Sequence, residues 1–189
     1  MNGKRSGFSL FEMLIVVSII GVLALAAVPV AEISFVKTQE TELQTSLDSI
    51  RQAIAAYRRD CRNFVIKQTS DRDAFYAHDS QFYPVDMQAL FNPLPGGYNI
   101  AWTSPNGAQS VTFVPVKYLK SIPADPFVGA AHWVIHFASG TSTVTYQGGT
   151  FVPATPADHV GVYDISPDPA PANRRGFVTA IDGTNYADW

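Results

Sequence analysis

The sequence predicts an α+β chain in which one long N-terminal α-helix packs against a small antiparallel β-sheet head. Three observations carry this. From Phe8 to Val30 the chain is apolar, with Glu12 its only charged residue. Beyond it, Val36, Leu43, Leu47, Ile50, Ile54 and Tyr57 recur at three-, four- and seven-residue steps, which is one face of an α-helix. The second half of the chain then breaks into short alternating stretches between turns, the mark of an antiparallel sheet, and strands gathered after one helix suit an α+β layout.

The apolar run comes first. About 20 apolar residues cross a bilayer, and this run is long enough. Lys4 and Arg5 precede it, so the short N-terminus stays cytoplasmic and the remainder is exported. A secretory signal would end in a small-residue cleavage site behind its apolar core. Here the small residue, Gly7, lies ahead of the run. A cut after Gly7 leaves the membrane segment on the mature chain, makes Phe8 its first residue and places Glu12 fifth. The expected organisation is a leader at 1–7, a transmembrane helix at 8–31, an amphipathic helix at 32–60 and a globular head at 61–189, the helix at 8–31 being also the polymerisation helix of the family resemblance given below.

The helix expected from Phe8 to about Asp60 would be about 80 Å long at about 1.5 Å per residue. Its first half is apolar all round. In its second half the apolar stripe is opposed by a polar face carrying Glu40, Glu42, Asp48, Arg51 and Arg58. Pro29 removes a backbone donor and invites a kink. Gly21 is a second weak point, costing about 1 kcal/mol relative to Ala.

After the helix, Arg59 to Gln81 reads equally as a short helix or as an ordered excursion. Val85–Phe91 suits a short helix. Asn92–Gly107, rich in Pro and Gly, reads as a loop. Val111–Val114 is a candidate strand ending at Pro115. Ala124-Asp125-Pro126 is a turn. His132–Ala138 alternates clearly and is a strand, followed by strands at Thr143–Tyr146 and Val160–Ile165, with turns at Ser139-Gly140 and Gly148-Gly149. From Asp164 to Trp189 the chain is rich in Pro, Asp and Gly.

Composition narrows the function. The net charge is −3, and losing Lys4 and Arg5 with the leader makes it more acidic, so bulk charge does not favour nucleic acid. Past Asp48 every acidic residue is Asp, a residue of turns and cation loops rather than helix interiors. The single cysteine, Cys61, permits no internal disulfide. His132 and His136 have a zinc-like spacing on a helix, but on a strand four residues span about 13 Å, too far for one ion. Ser34-Phe35-Val36-Lys37 matches a Ser-x-x-Lys motif without its companion motifs. No nucleophile elbow, Walker loop or Cys-x-x-Cys is present, and an enzyme is not expected.

A basic leader, Gly7 before the cut, aromatic Phe8 after it and Glu12 as fifth mature residue together resemble the class III signal of type IV pilins and type II secretion pseudopilins. Further along, Tyr57, Phe82-Tyr83-Pro84 and Gln88-Ala89-Leu90 are similar to the helix exit and first loop of the major pseudopilin. Tyr118-Leu119, Pro123-Ala124-Asp125-Pro126-Phe127 and Trp133 are similar to its Pro-x-Asp-Pro-aromatic turn and following strand, and Tyr163–Asp168 with Trp189 to its C-terminal loop. The chain departs from that pattern between Tyr57 and Tyr83, which is longer, and at Pro169–Gly176, an insertion with Arg174 and Arg175 inside it.

The resemblance implies the pilin fold and a homopolymer assembled through the N-terminal helix. It also implies cleavage by a prepilin peptidase and N-methylation of Phe8. The partners would be minor pseudopilins and an inner-membrane platform with a cytoplasmic ATPase. The chain would be single-pass in the bacterial inner membrane, its head periplasmic. Gly21 and Pro29 match positions where such helices loosen in filaments. The resemblance further implies calcium in the C-terminal loop, with Asp168 the best positional match and Asp182 and Asp188 as later carboxylates; the alternatives are surface turn aspartates or pairing with Arg174 and Arg175. Glu12 acquires a role as well. A carboxylate among lipid tails costs a few kcal/mol, and no Lys or Arg lies between Phe8 and Val36. The α-amino group that cleavage exposes on a neighbour's Phe8 is a cation able to meet it. The other reading is a type IV pilus subunit or tip module acting in adhesion, motility or DNA uptake.

Overall fold

A computed structural model describes residues 7, 9–69, 71–139, 144–147, 149–152, 160–168 and 179–189. The architecture is α+β, a long N-terminal helix followed by small antiparallel sheets. The chain divides into two compact units, Met1–Gln39 and Glu40–Trp189.

In the first unit the helix α1 (Leu10–Gln68) begins. Its side chains from Leu10 to Leu25 are exposed, and it is long and apolar enough to cross a membrane. Ser18 returns its hydroxyl to the Leu14 carbonyl at 2.8 Å, so the hydroxyl adds no unpaired donor to an apolar surface.

In the second unit α1 buries one stripe: Leu43, Leu47, Ile50, Ile54, Tyr57, Cys61 and Val65. The last two extend the stripe beyond the expected exit. The helix ends at Gln68 rather than near Asp60, because Cys61 and Val65 continue the four-residue step that the charges of Arg58, Arg59, Asp60 and Arg62 obscure in the sequence. The segment 59–81 is thus the end of α1, then the short α2 (Asp71–Ala74) and a 3-10 turn at Asp79–Phe82.

After it comes α3 (Gln88–Phe91), shorter than the stretch Val85–Phe91 suggested. The Asp86 carboxylate accepts from the Ala89 amide at 2.8 Å. The Leu90 carbonyl receives the amides of Tyr118 and Leu119.

The stretch Asn92–Gly107 is not all loop. It contains β1 (Tyr98–Ser104), which pairs antiparallel with β2 (Gly107–Phe113) through a turn at Pro105-Asn106. The alternation that defines β1 is Tyr98, Ile100, Trp102 and Ser104 buried, with Asn99, Ala101 and Thr103 exposed. Pro and Gly crowd both flanks, and so hide a strand of seven residues.

The second sheet has four antiparallel strands in the order β5-β4-β3-β6, formed by β3 (His132–Ser139), β4 (Val144–Gln147), β5 (Thr150–Val152) and β6 (Val160–Pro167). The strands expected around His132, Thr145 and Val160 are all there. Gly140, Thr143 and Gly148 of the expected turns and strand lie outside the described residues. A bulge separates His136 from Phe137. Trp133, Ile135, Tyr146, Val162 and Ile165 form the buried face, and the Trp133 indole donates to the Pro123 carbonyl. Gly161 has φ 73°, and a Cβ there would drive into the Ser80 carbonyl. Its missing side chain lets the Val162 amide reach the Pro84 carbonyl at 2.7 Å.

Candidate functional site

Glu12 lies in the first turn of α1, where its negative charge favours the helix dipole. It is exposed and has no partner among the described residues. The helix continues unbroken through Gly21 and Pro29. A Cβ at Gly21 would meet nothing within 4 Å. Pro29 has no amide for the Leu25 carbonyl, so the helix loses one hydrogen bond there. Gly7 is exposed. Phe8, residues 1–6 of the expected leader 1–7, and the stretch Pro169–Gly176 with Arg174 and Arg175 lie outside the described residues.

The three aspartates expected at a calcium site do different things. Asp168, buried at the end of β6, accepts from the buried His132 ring at 2.5 Å. Asp182 is exposed, and its Oδ1 accepts both the amide and the hydroxyl of Thr184. Those two bonds hold its carboxyl below the usual carboxylate range. Asp188 is exposed in a short 3-10 turn. Among the described residues no three His, Cys, Asp or Glu side chains are grouped to hold a metal ion. Asp168, Asp182 and Asp188 thus share no carboxylate cluster among the described residues. His136 is bonded to Ser166 and His132 to Asp168, so the two histidines have separate partners.

The structure shows a site that the pattern of charges missed. Glu40 does not lie on the solvated face of α1. It is 9% exposed, and one oxygen accepts from both the Ile181 amide and the Tyr186 hydroxyl at 2.8 Å. Glu40 is three residues before Leu43, next to the buried stripe, which is the one local signal of this. Arg51 and Arg58 are likewise engaged: Arg51 binds Asp164 and the Ile165 carbonyl, and Arg58 pairs with Asp79 while lying over the Tyr83 ring. Cys61 is fully buried, and burial pushes its thiol up to about 12.

These features define a class first: a chain with an apolar, membrane-length helix at its N-terminus that continues into an α+β head. Residues 2–28 match the prokaryotic N-terminal methylation motif. That motif is a class III prepilin signal, and it supports the type IV pilin-like family for this chain. No curated protein and no solved structure matches the chain.

Proposed function

We propose that this chain is a structural subunit of a pilus-like filament, the pseudopilus of type II secretion, and supports protein export. The observation that carries the reading is the anchor. Leu10–Leu25 are exposed and apolar, Glu12 is the single charge among them, and the methylation motif covers the same stretch. A surface of this kind needs lipid before assembly and other copies afterwards. In this reading a prepilin peptidase cuts between Gly7 and Phe8, and Phe8 is N-methylated. The new amine of one subunit then meets Glu12 of its neighbour, setting the register. Minor pseudopilins and an inner-membrane platform with its ATPase build the homopolymer from subunits whose heads are periplasmic. The role is structural rather than enzymatic. Among the described residues Asp168 is bonded to His132 through one carboxylate oxygen, and a calcium ion in the C-terminal loop would use the other. Intact mass of the membrane-extracted protein tests the reading: it should lack Met1–Gly7 and carry one methyl group, and any other N-terminus overturns it.

The second reading is a type IV pilus subunit that binds a surface or DNA at the filament tip. It is favoured by an exposed aromatic pair, Phe75 and Tyr76, near Arg62. Deletion separates the two readings. Loss of filaments supports the structural subunit, and loss of binding with filaments intact supports the tip module.

A further inference from the structure

Two features at different places on the head are complementary. The first is a cleft of about 550 Å³ lined by Arg58, Arg62, Ile66, Phe75, Asp79 and Phe82. Phe75 is 84% exposed, more than any other large apolar residue described in the head. It is not on a loose end: the Asp73 carbonyl two residues earlier accepts the Trp102 indole, and the Asp73 carboxylate accepts from Asn106. Asp79 and Arg58 neutralise each other within the cleft. Arg62 is exposed and has no ion-pair partner among the described residues, so the cleft combines apolar walls, Ile66, Phe75 and Phe82, with one uncompensated positive charge.

The second feature is a turn at Ala180–Gly183 that projects Ile181, 52% exposed, and Asp182. This turn is built in advance of any binding. The Gly183 amide bonds the Ala180 carbonyl, the Ala180 amide bonds the Thr184 carbonyl, and the Ile181 amide is held by the buried Glu40. Asp182 keeps its charge readily, since Thr184 holds its carboxyl low, and its Oδ2 has no partner among the described residues. The turn is therefore an apolar knob beside one negative charge.

We propose that the Ile181-Asp182 turn of one copy seats in the Arg62-Phe75 cleft of the next, with Ile181 against Phe75 and Ile66, and Asp182 on Arg62. The placement suits a polymer. The turn is tied to α1 at Glu40, while the cleft opens on α1 at Arg58–Ile66. Glu40 and Arg62 are about 33 Å apart along the helix at about 1.5 Å per residue. A contact joining two different patches of the same molecule is heterologous, and repeats into an open helical array rather than closing a dimer. One such knob buries little area, so it fixes head register while the apolar helices supply most of the cohesion. This rests on the filament reading above.

The test uses filaments sheared from cells that assemble the full chain. Phe75→Cys and Ile181→Cys together, treated with a short bismaleimide, should give a ladder of covalent multimers. Each single variant should give dimers at most, and Cys61 is buried and does not compete. Arg62→Asp and Asp182→Arg should each lower assembled filament several-fold, and the double swap should restore it. If the double-cysteine filaments form without a ladder, or the charge variants assemble as wild type, the proposal is overturned while the filament reading stands. Loss of surface or DNA binding by Arg62→Asp in otherwise normal filaments overturns it in favour of a tip site. If the wild-type chain forms no filaments at all, the underlying reading fails.

Discussion

Two glutamates on the same helix have opposite situations. Glu40 is buried in the head, and its carboxylate takes donors from Ile181 and Tyr186 of its own chain. Glu12 lies in an apolar, exposed stretch with no partner among the described residues. A carboxylate taken from water needs donors or a countercharge, or its burial costs several kcal/mol. The head supplies them internally, so Glu40 is a structural tie. Among the described residues the anchor supplies none, and in the proposed filament the partner of Glu12 is the Phe8 amine of a neighbouring copy. The same contrast holds for the apolar residues. Leu43, Leu47 and Ile50 are buried on one stripe, whereas Leu10–Leu25 are exposed throughout.

The largest effect that would sharpen the contrast is at Glu12. Glu12→Gln and Glu12→Ala should insert and be cleaved normally but leave few filaments by electron microscopy, while the melting temperature of the full chain in detergent stays at the wild-type value. Wild-type filament numbers in both variants would remove the charge pairing from assembly. Next is Leu47→Ala, which opens a cavity in the head and should cost about 2–5 kcal/mol in urea unfolding. Leu14→Ala, on the exposed anchor, should leave that unfolding unchanged. Equal losses at the two sites would mean the anchor packs on its own chain.

A smaller loss is expected for Glu40→Ala. It strands the Ile181 amide and the Tyr186 hydroxyl and should cost about 1–3 kcal/mol, with Glu40→Gln milder because the amide oxygen still accepts. An equal loss for both would show that charge, rather than acceptance, matters at Glu40.

Cys61 gives a weaker signal with a definite sign. Burial raises its thiol from 9.0 to about 12, so folding favours the neutral form. Its contribution to stability is complete below pH 9 and is lost as pH rises from there through about 12. At pH 8 it should resist iodoacetamide until the head unfolds in urea. Labelling without denaturant would contradict its burial. The smallest expected effect is zero: calcium and chelator should give the same melting temperature. A rise in calcium would mean that residues beyond those described complete a shell around Asp168 or Asp182.

What the sequence by itself determined is whatever a local period or an ordered motif can encode. The apolar run, the methylation signal, the buried stripe from Leu43 to Tyr57 and the alternation of β3 are all properties of neighbouring residues. Helical and strand periods write them directly into the chain. Where local signals conflicted, tertiary packing decided. Cys61 and Val65 carry α1 past a run of charges because their side chains reach the core, and β1 forms between Pro-rich flanks because Tyr98, Ile100 and Trp102 find a buried face. The polar ties were beyond local reach altogether. Glu40 and Tyr186 are 146 residues apart, and His132 and Asp168 are 36 apart. A carboxylate's sequence neighbours do not say which distant donor will meet it; only the folded chain brings Glu40 to Tyr186 and takes Asp168 for His132.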